Sequence, residues 1–163
     1  MNKVYLIAGS NIDDRLLNLV RAEELIAQRI GNPIRTSHIF DTESWGYESV
    51  HSFYNQCFFL ESVLKAEIIL KEILGIERIM GRKRHGGSYA DRIIDIDILF
   101  FNDEIISTKK LTIPHPKLHE RKFVLVPLSE IAKDFIHPVF GKSIELILRD
   151  CDDKLNVQQV SLI

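Results

Sequence analysis

Asp95 and Asp97 stand two apart inside residues 93–101, Ile-Ile-Asp-Ile-Asp-Ile-Leu-Phe-Phe, where every other side chain is apolar. Isoleucine and phenylalanine at that density favour β-strand, and in a strand residues i and i+2 face the same side. The two carboxylates then project together with Cα atoms roughly 6–7 Å apart, close enough to hold one hard cation or a pair of them. The pattern reads as a magnesium seat. The plainer reading is a half-buried strand with a polar face. Against it, Leu99 and Phe101 continue the aspartate face while Ile94, Ile96, Ile98 and Phe100 fill the other. With both faces covered, an anion without a cation is costly.

Cations gather beside this pair. Residues 77–85 read Glu-Arg-Ile-Met-Gly-Arg-Lys-Arg-His, and Arg92 precedes Asp95 by three. Guanidinium groups grip phosphate oxygens bidentately, so their density next to a metal seat suits a polyphosphate. Taken alone, the run equally describes a solvated helix end favoured by the helix dipole. Gly86, Gly87 and Ser88 lower the cost of movement, which predicts a mobile lid over residues 82–92 that orders only when a metal-bound nucleotide and the second substrate are both present. Asp91 is expected to pre-pair with Arg92 and weaken its hold on phosphate. No Gly-x-x-x-x-Gly-Lys-Ser/Thr occurs, nor a Gly-x-Gly-x-x-Gly kinase loop. Phosphoryl transfer needs little covalent work from a protein, and metal ions with arginines supply its main parts. No obvious nucleophile stands among them.

The elements that must position these groups follow from periodicity. Residues 4–8 form a buried strand halted at Gly9, with Ser10, Asn11 or Asp13 as caps for a helix carrying Leu16, Leu17, Val20, Leu25, Ile26 and Ile30 to near Gly31. Residues 34–41 and 53–63 are strands separated by a long loop over 42–52, and residues 66–80 are a helix stopped by Gly81. After the aspartate strand come a turn at Asn102-Asp103, a short strand at 105–106, and residues 111–113 as a possible extension of the sheet. Pro114 and Pro116 force an extended loop, residues 123–127 cross back inside, and 131–132 and 143–148 are short helices. The order is that of an α+β, ferredoxin-like βαββαβ sandwich, an antiparallel sheet with helices packed on it.

With 163 residues and 45% hydrophobic content, the chain suits one domain spanning residues 1–163. A net charge of -2 gives no reason to expect nucleic acid; the local cations point to small anionic partners. Two cysteines without a Cys-x-x-Cys fit a reducing cytoplasm, and no apolar run approaches the ~20 residues of a membrane span. A soluble, unprocessed protein is expected.

Several pieces share a spacing: Gly9-Ser10-Asn11, Thr42 and Gly46, Phe53-x-Asn55, Gly81-Arg82, Arg92-Ile-Ile-Asp95-Ile-Asp97-Ile-Leu99, then Ile113-Pro-His115-Pro116 with Arg121, Phe123, Pro127 and Leu128. Along nearly its whole length the chain resembles the 6-hydroxymethyl-7,8-dihydropterin pyrophosphokinase family of folate biosynthesis. The Arg-x-x-Asp-x-Asp and Pro-His-Pro segments together are specific; Gly-Ser-Asn alone is weak.

The resemblance implies transfer of pyrophosphate from ATP to the hydroxymethyl group of a dihydropterin, in a cytoplasmic monomer. It implies two Mg2+ ions on Asp95 and Asp97, with Arg82 and Arg92 completing the catalytic set. Glu77, Arg82, Arg84, Arg92, Ile98, Thr112, His115 and Arg121 match ATP-contacting positions. Thr42, Glu43, Trp45, Phe53, Asn55, Asp95 and Phe123 match pterin-contacting ones, Phe53 and Phe123 sandwiching the ring and Asn55 reading its amide edge. By residue type alone, Phe53 and Phe123 are core aromatics, Asn55 satisfies a strand end and His115 is a turn residue. The family usually has tryptophan where Tyr89 stands, Gly-Pro where Ala90-Asp91 stands, and often tyrosine at Phe53. Two rival readings are a two-metal phosphohydrolase, which wants more ligands, and a non-enzymatic module with a structural cation.

Overall fold

The computed structural model of the chain describes residues 1–83 and 89–162. In order, β1 (Asn2–Ser10), α1 (Arg15–Arg29), β2 (Pro33–Thr36), β3 (Phe40–Thr42), β4 (Phe53–Ser62), α2 (Ala66–Ile79) and β5 (Asp95–Phe101) build the βαββαβ unit. Then come β6 (Ile106–Ser107), β7 (Thr112–Ile113), a single 3-10 turn at Leu118–Glu120, α3 (Lys122–Ala132), α4 (Ile144–Arg149) and β8 (Val157–Gln159). The main sheet runs β5-β1-β4-β3-β8, with β2 also on β4, and every pairing is antiparallel. This is the expected α+β class.

Both faces are covered, each by its own helices. Leu19, Ala22 and Ile26 of α1 and Ile69, Ile73 and Ile76 of α2 bury against Val4, Leu6, Phe58, Leu60, Ile96 and Ile98. On the opposite face Val124, Leu125 and Leu128 of α3 and Ile144 and Ile147 of α4 cover Tyr5, Cys57, Phe59, Leu99 and Phe100. Each large side chain so buried contributes about 1.5–3 kcal/mol of transfer free energy.

The pleat of β5 departs from strict alternation. Its register against β1 slips between Tyr5 and Leu6, so that Tyr5 faces Phe100 while Leu6 faces Ile98. The extra residue of this bulge exchanges the last two phenylalanines. Phe100 joins Leu99 beneath α3, and Phe101 joins Ile96 and Ile98 beneath the other helices, the reverse of simple period-two counting.

Other local expectations are corrected as well. Asp14, whose carboxylate accepts from Leu17 N–H at 3.0 Å, caps α1, rather than Ser10, Asn11 or Asp13. The strand at 34–41 breaks into β2 and β3 around Ser37, whose hydroxyl takes the Cys57 N–H at 2.9 Å. β6 and β7 pair with each other in a separate small sheet instead of extending the main one. Residues 122–132 form one helix despite Pro127, because helical spacing places Val124, Leu125, Leu128 and Ile131 together in the second core. β8, a polar edge strand on β3, carries no alternation that would reveal it.

Candidate active site

The face under α3 changes character toward one end of the strands. Asp95 lies opposite Gly9, Asp97 opposite Ile7, and Gly9 is in turn opposite Asn55 of β4. Only the N-terminal end of α3 borders this region, through Arg121 and Phe123, and a cavity of about 430 Å3 opens there. Gly9 makes the floor possible: a Cβ at that position would stand 2.4 Å from Asn55 Oδ1. Asn55 is thereby seated in the sheet, buried, and donates to Thr42 Oγ1 at 2.8 Å.

One half of the cavity is flat and largely apolar. Phe53, Phe123, Trp45 and Tyr89 line it with Thr42, Glu43 and Asn55. Trp45 and Tyr89 meet edge to face at 5.9 Å, and the Arg121 guanidinium lies 4.5 Å over the Trp45 ring. The Tyr89 hydroxyl accepts from Lys117 at 2.9 Å and from Arg121 at 3.1 Å; led by the Lys117 hydrogen bond, these cations lower its pKa despite burial. Gly46, at φ +80, packs its backbone against the Tyr89 ring, where a Cβ would come within 3.2 Å.

The other half is charged. Arg82 donates to Glu77 Oε2 and, at 2.7 Å, to Asp95 Oδ1, while Arg92 donates to Asp95 Oδ2 at 3.0 Å. Burial disfavours the Arg82 charge, but Asp95 and Glu77 more than offset it, and its pKa is raised. Asp97 lines the cavity with 36% of its side-chain surface open. Burial, and next the charge of Asp95, push its pKa up to about 7 against the pull of Arg121. A carboxyl held up chiefly by burial, with a second carboxylate beside it, is a place where a divalent cation would be favourable. His115 Nε2 is 3.8 Å from Asp97 Oδ2. Burial, then Arg121, depress the His115 pKa to about 4, so the ring is neutral. Its Nδ1 accepts the Lys117 N–H at 3.2 Å, which assigns the remaining proton to Nε2, facing the cavity side.

Most of the residues singled out from sequence thus converge on one cavity: Thr42, Glu43, Trp45, Phe53, Asn55, Arg82, Arg92, Asp95, Asp97, His115, Arg121 and Phe123. Glu77 is buried behind Arg82, its Oε2 also accepting from Ile96 N–H at 3.3 Å. Ile98 is core beneath the sheet, and Thr112 is an exposed residue of β7 outside the cavity wall. Arg84, like the Gly86-Gly87-Ser88 segment on which the expected lid turns, lies outside the described residues. Asp91 does not spend its carboxylate on Arg92. Oδ1 accepts instead from Ser49 at 2.7 Å, Asn11 at 2.8 Å and Tyr47 at 3.0 Å. Tyr47 and Lys117 also line the wall without having been foreseen. Nothing in their spacing marks them, since a tyrosine and a lysine in polar loops are ordinary surface residues.

The chain is similar over most of its length to known proteins of one family. A family model described as 7,8-dihydro-6-hydroxymethylpterin-pyrophosphokinase (HPPK) matches residues 5–133. A 2-amino-4-hydroxy-6-hydroxymethyldihydropteridine pyrophosphokinase of Porphyromonas gingivalis is 43% identical over 138 residues, 83% of this chain and 93% of that protein. The protein of the same name from Aquifex aeolicus is 35% identical over 145 residues, 89% of each chain. Among solved structures, an HPPK-DHPS in complex with substrates superposes with a TM-score of 0.75 at 16% identity, over 91% of this chain and 43% of that one. A Plasmodium falciparum HPPK-DHPS gives 0.71 at 20% identity, over 92% of this chain and 43% of that chain. At such identities these structural likenesses speak for the fold, and the present chain spans less than half of those longer chains.

Proposed function

The chain belongs to the 7,8-dihydro-6-hydroxymethylpterin-pyrophosphokinase family, the pyrophosphokinases of folate biosynthesis, and from that premise we propose how its own residues carry the reaction. ATP and 6-hydroxymethyl-7,8-dihydropterin are the substrates. The hydroxymethyl oxygen attacks the β-phosphorus of ATP, the bond from that phosphorus to the oxygen bridging to the α-phosphate breaks, and AMP departs with that oxygen. The pterin diphosphate forms, and the hydroxyl proton passes to solvent. No side chain is required as a strong base.

The observation that carries this reading is the meeting, in one cavity, of a flat aromatic half with a half made of two carboxylates and arginines. Phe53 and Phe123 take the two faces of the pterin, and Asn55, seated by Thr42, reads its amide edge. Arg82 and Arg92 hold the transferred and departing phosphates. Arg121 adds an unmet donor. Its buried Nε is a side-chain atom without a hydrogen-bond partner among the described residues, which a phosphate oxygen would satisfy. Neutral His115 offers its Nε2–H as a further donor without adding charge.

Asp95 and Asp97 would hold Mg2+, two ions in this reading, which when bound neutralise the triphosphate and order it for in-line attack. Among the described residues no group of three or more His, Cys, Asp or Glu side chains is placed to hold a metal. Ligands beyond these two carboxylates would have to come from outside the described residues, as suits magnesium carried in by a nucleotide. That arrangement also favours transfer over the two-metal phosphohydrolase, whose ions need more protein ligands. Glu77 acts one step back, fixing Arg82. We place the enzyme in the cytoplasm as a monomer, a location with which two free cysteines are in keeping.

Incubation with ATP, Mg2+ and the dihydropterin alcohol is expected to yield AMP and the pterin diphosphate in equal amounts. ADP or free phosphate as the main product would overturn the assignment.

A further inference from the structure

Arg92 is held by more than its guanidinium. Its backbone N–H donates to Asn11 Oδ1 at 2.7 Å, and its backbone oxygen accepts from Asn11 N–H at 3.1 Å. Asn11 is buried, so the orientation of its amide decides whether Arg92 meets an acceptor or a donor. The other end of that amide, Nδ2, points at Asp91 Oδ1 at 2.8 Å, with the His51 carbonyl at 3.2 Å and Tyr47 Oη at 3.3 Å. Were the amide flipped, its oxygen would face a carboxylate and a carbonyl, and its NH2 would face the Arg92 N–H. Asp91 therefore imposes the orientation that Arg92 needs.

The same carboxylate oxygen takes the hydroxyls of Ser49 and Tyr47, from the loop between β3 and β4. That loop contributes Glu43, Trp45 and Tyr47 to the cavity wall. Burial opposes ionisation of Asp91, but the hydrogen bonds from Ser49, Asn11 and Tyr47 outweigh it and its pKa is lowered, leaving an anion at neutral pH. The aromatic wall and the phosphate-gripping arginine thus share one anchor.

We propose that Asp91 is a positioning residue for the transfer reaction: by bridging Asn11 with Tyr47 and Ser49, it sets the backbone of Arg92 against β1 and joins the aromatic wall to the phosphate side of the cavity. Asp91 touches neither substrate in this role; it acts through Asn11 and Arg92. The inference rests on the reading of Arg92 as a phosphate-binding group.

The test compares Asp91→Ala, Asp91→Asn, Arg92→Ala and the Asp91→Ala/Arg92→Ala double variant by steady-state kinetics, with thermal melting alongside. Asp91→Ala should lower kcat/KM for ATP by about tenfold, the scale of a lost charged hydrogen-bond anchor, with the Tm nearly kept. Asp91→Asn, which retains an acceptor oxygen, should recover a good part of that loss. Because Asp91 works through Arg92, adding Asp91→Ala to Arg92→Ala should cost little more. If Arg92→Ala impairs ATP use while Asp91→Ala does not, or if the two losses simply add, the positioning role fails and the phosphate reading of Arg92 stands. If Arg92→Ala itself leaves ATP kinetics unchanged, that underlying reading fails, and this inference with it. A fall in Tm without a change in kcat/KM would reduce Asp91 to a structural tie.

Discussion

The two halves of the cavity are prepared in opposite ways. On the aromatic side Asn55 is already engaged with Thr42, Tyr89 with Lys117 and Arg121, and Phe53 and Phe123 stand on β4 and on the first turn of α3. A planar ligand entering there exchanges ring–cation contacts, Arg92 over Phe53 at 5.6 Å and Arg121 over Phe123 at 5.6 Å, while these hydrogen bonds can stay in place. On the charged side Arg82 and Arg92 occupy the two oxygens of Asp95, and the Asp97 carboxyl is pushed toward its neutral form. In the proposed reading, a metal-bound polyphosphate would re-partner these groups, exchanging arginine–carboxylate pairs for arginine–phosphate and carboxylate–metal ones. On the proposed function, one half would select by shape and the other exchange charges, the chemistry falling to the half that has to rearrange.

The sharpest way to break this contrast is to remove the carboxylates. Asp95→Ala and Asp97→Ala should remain folded and lose activity by at least about 10²–10³-fold, since both carboxylates are the proposed metal ligands and Asp95 is also the partner of Arg82 and Arg92. Turnover near that of the parent protein in either variant would make the charged half mere decoration. Circular dichroism on the same samples separates lost chemistry from lost structure.

On the aromatic side the effect should be smaller and confined to one substrate. Phe123→Ala or Phe53→Ala should raise the pterin dissociation constant about tenfold, from lost stacking and burial, while ATP binding changes little. Fluorescence titration with pterin and with a non-hydrolysable ATP analogue measures both. Normal pterin binding with a lowered Tm would return these rings to the core.

The smallest expected effect is on stability, and its sign follows from Asp97. Well below pH 3.8, the ordinary value, the folded and unfolded chains both carry the proton. As pH rises from there toward about 7, the unfolded chain releases it and the folded chain keeps it, so stability falls with rising pH and levels off above 7. Asp97→Asn abolishes that slope. Without metal or nucleotide, the variant should melt on the order of a few degrees above the parent at pH 8, the gap closing as pH falls well below 3.8. The effect is modest because the carboxyl borders the cavity and is partly screened. A Tm difference independent of pH would point to a packing change instead.

What was legible before any coordinates were known was mainly what local pattern specifies. Helical periodicity marks α1 and α2, Gly81 marks the end of α2, and the apolar run around Asp95 and Asp97 marks β5. The resemblance supplied Phe53, Asn55, His115, Arg121 and Phe123, which neither spacing nor residue type distinguishes from ordinary core and turn residues. The bulge in β5 was not legible, because it arises from register against β1, and the exchange of Phe100 and Phe101 comes with it. β8 escaped for a related reason: a short polar segment becomes a strand only because β3 offers it an edge.

Asp91 marks where the two kinds of information divide. The sequence by itself placed an acid beside Arg92 and two aspartates on one face of a strand, since covalent neighbourhood and strand period are local properties. Whether that acid would pair with its neighbour was decided only by the tertiary structure, which brings Asn11 from the end of β1 and Tyr47 and Ser49 from a distant loop to within hydrogen-bonding distance of Asp91. Three donors converging on one carboxylate oxygen compete for it against a flexible cation that Asp95 already engages at 3.0 Å, and no pattern along the chain records that competition.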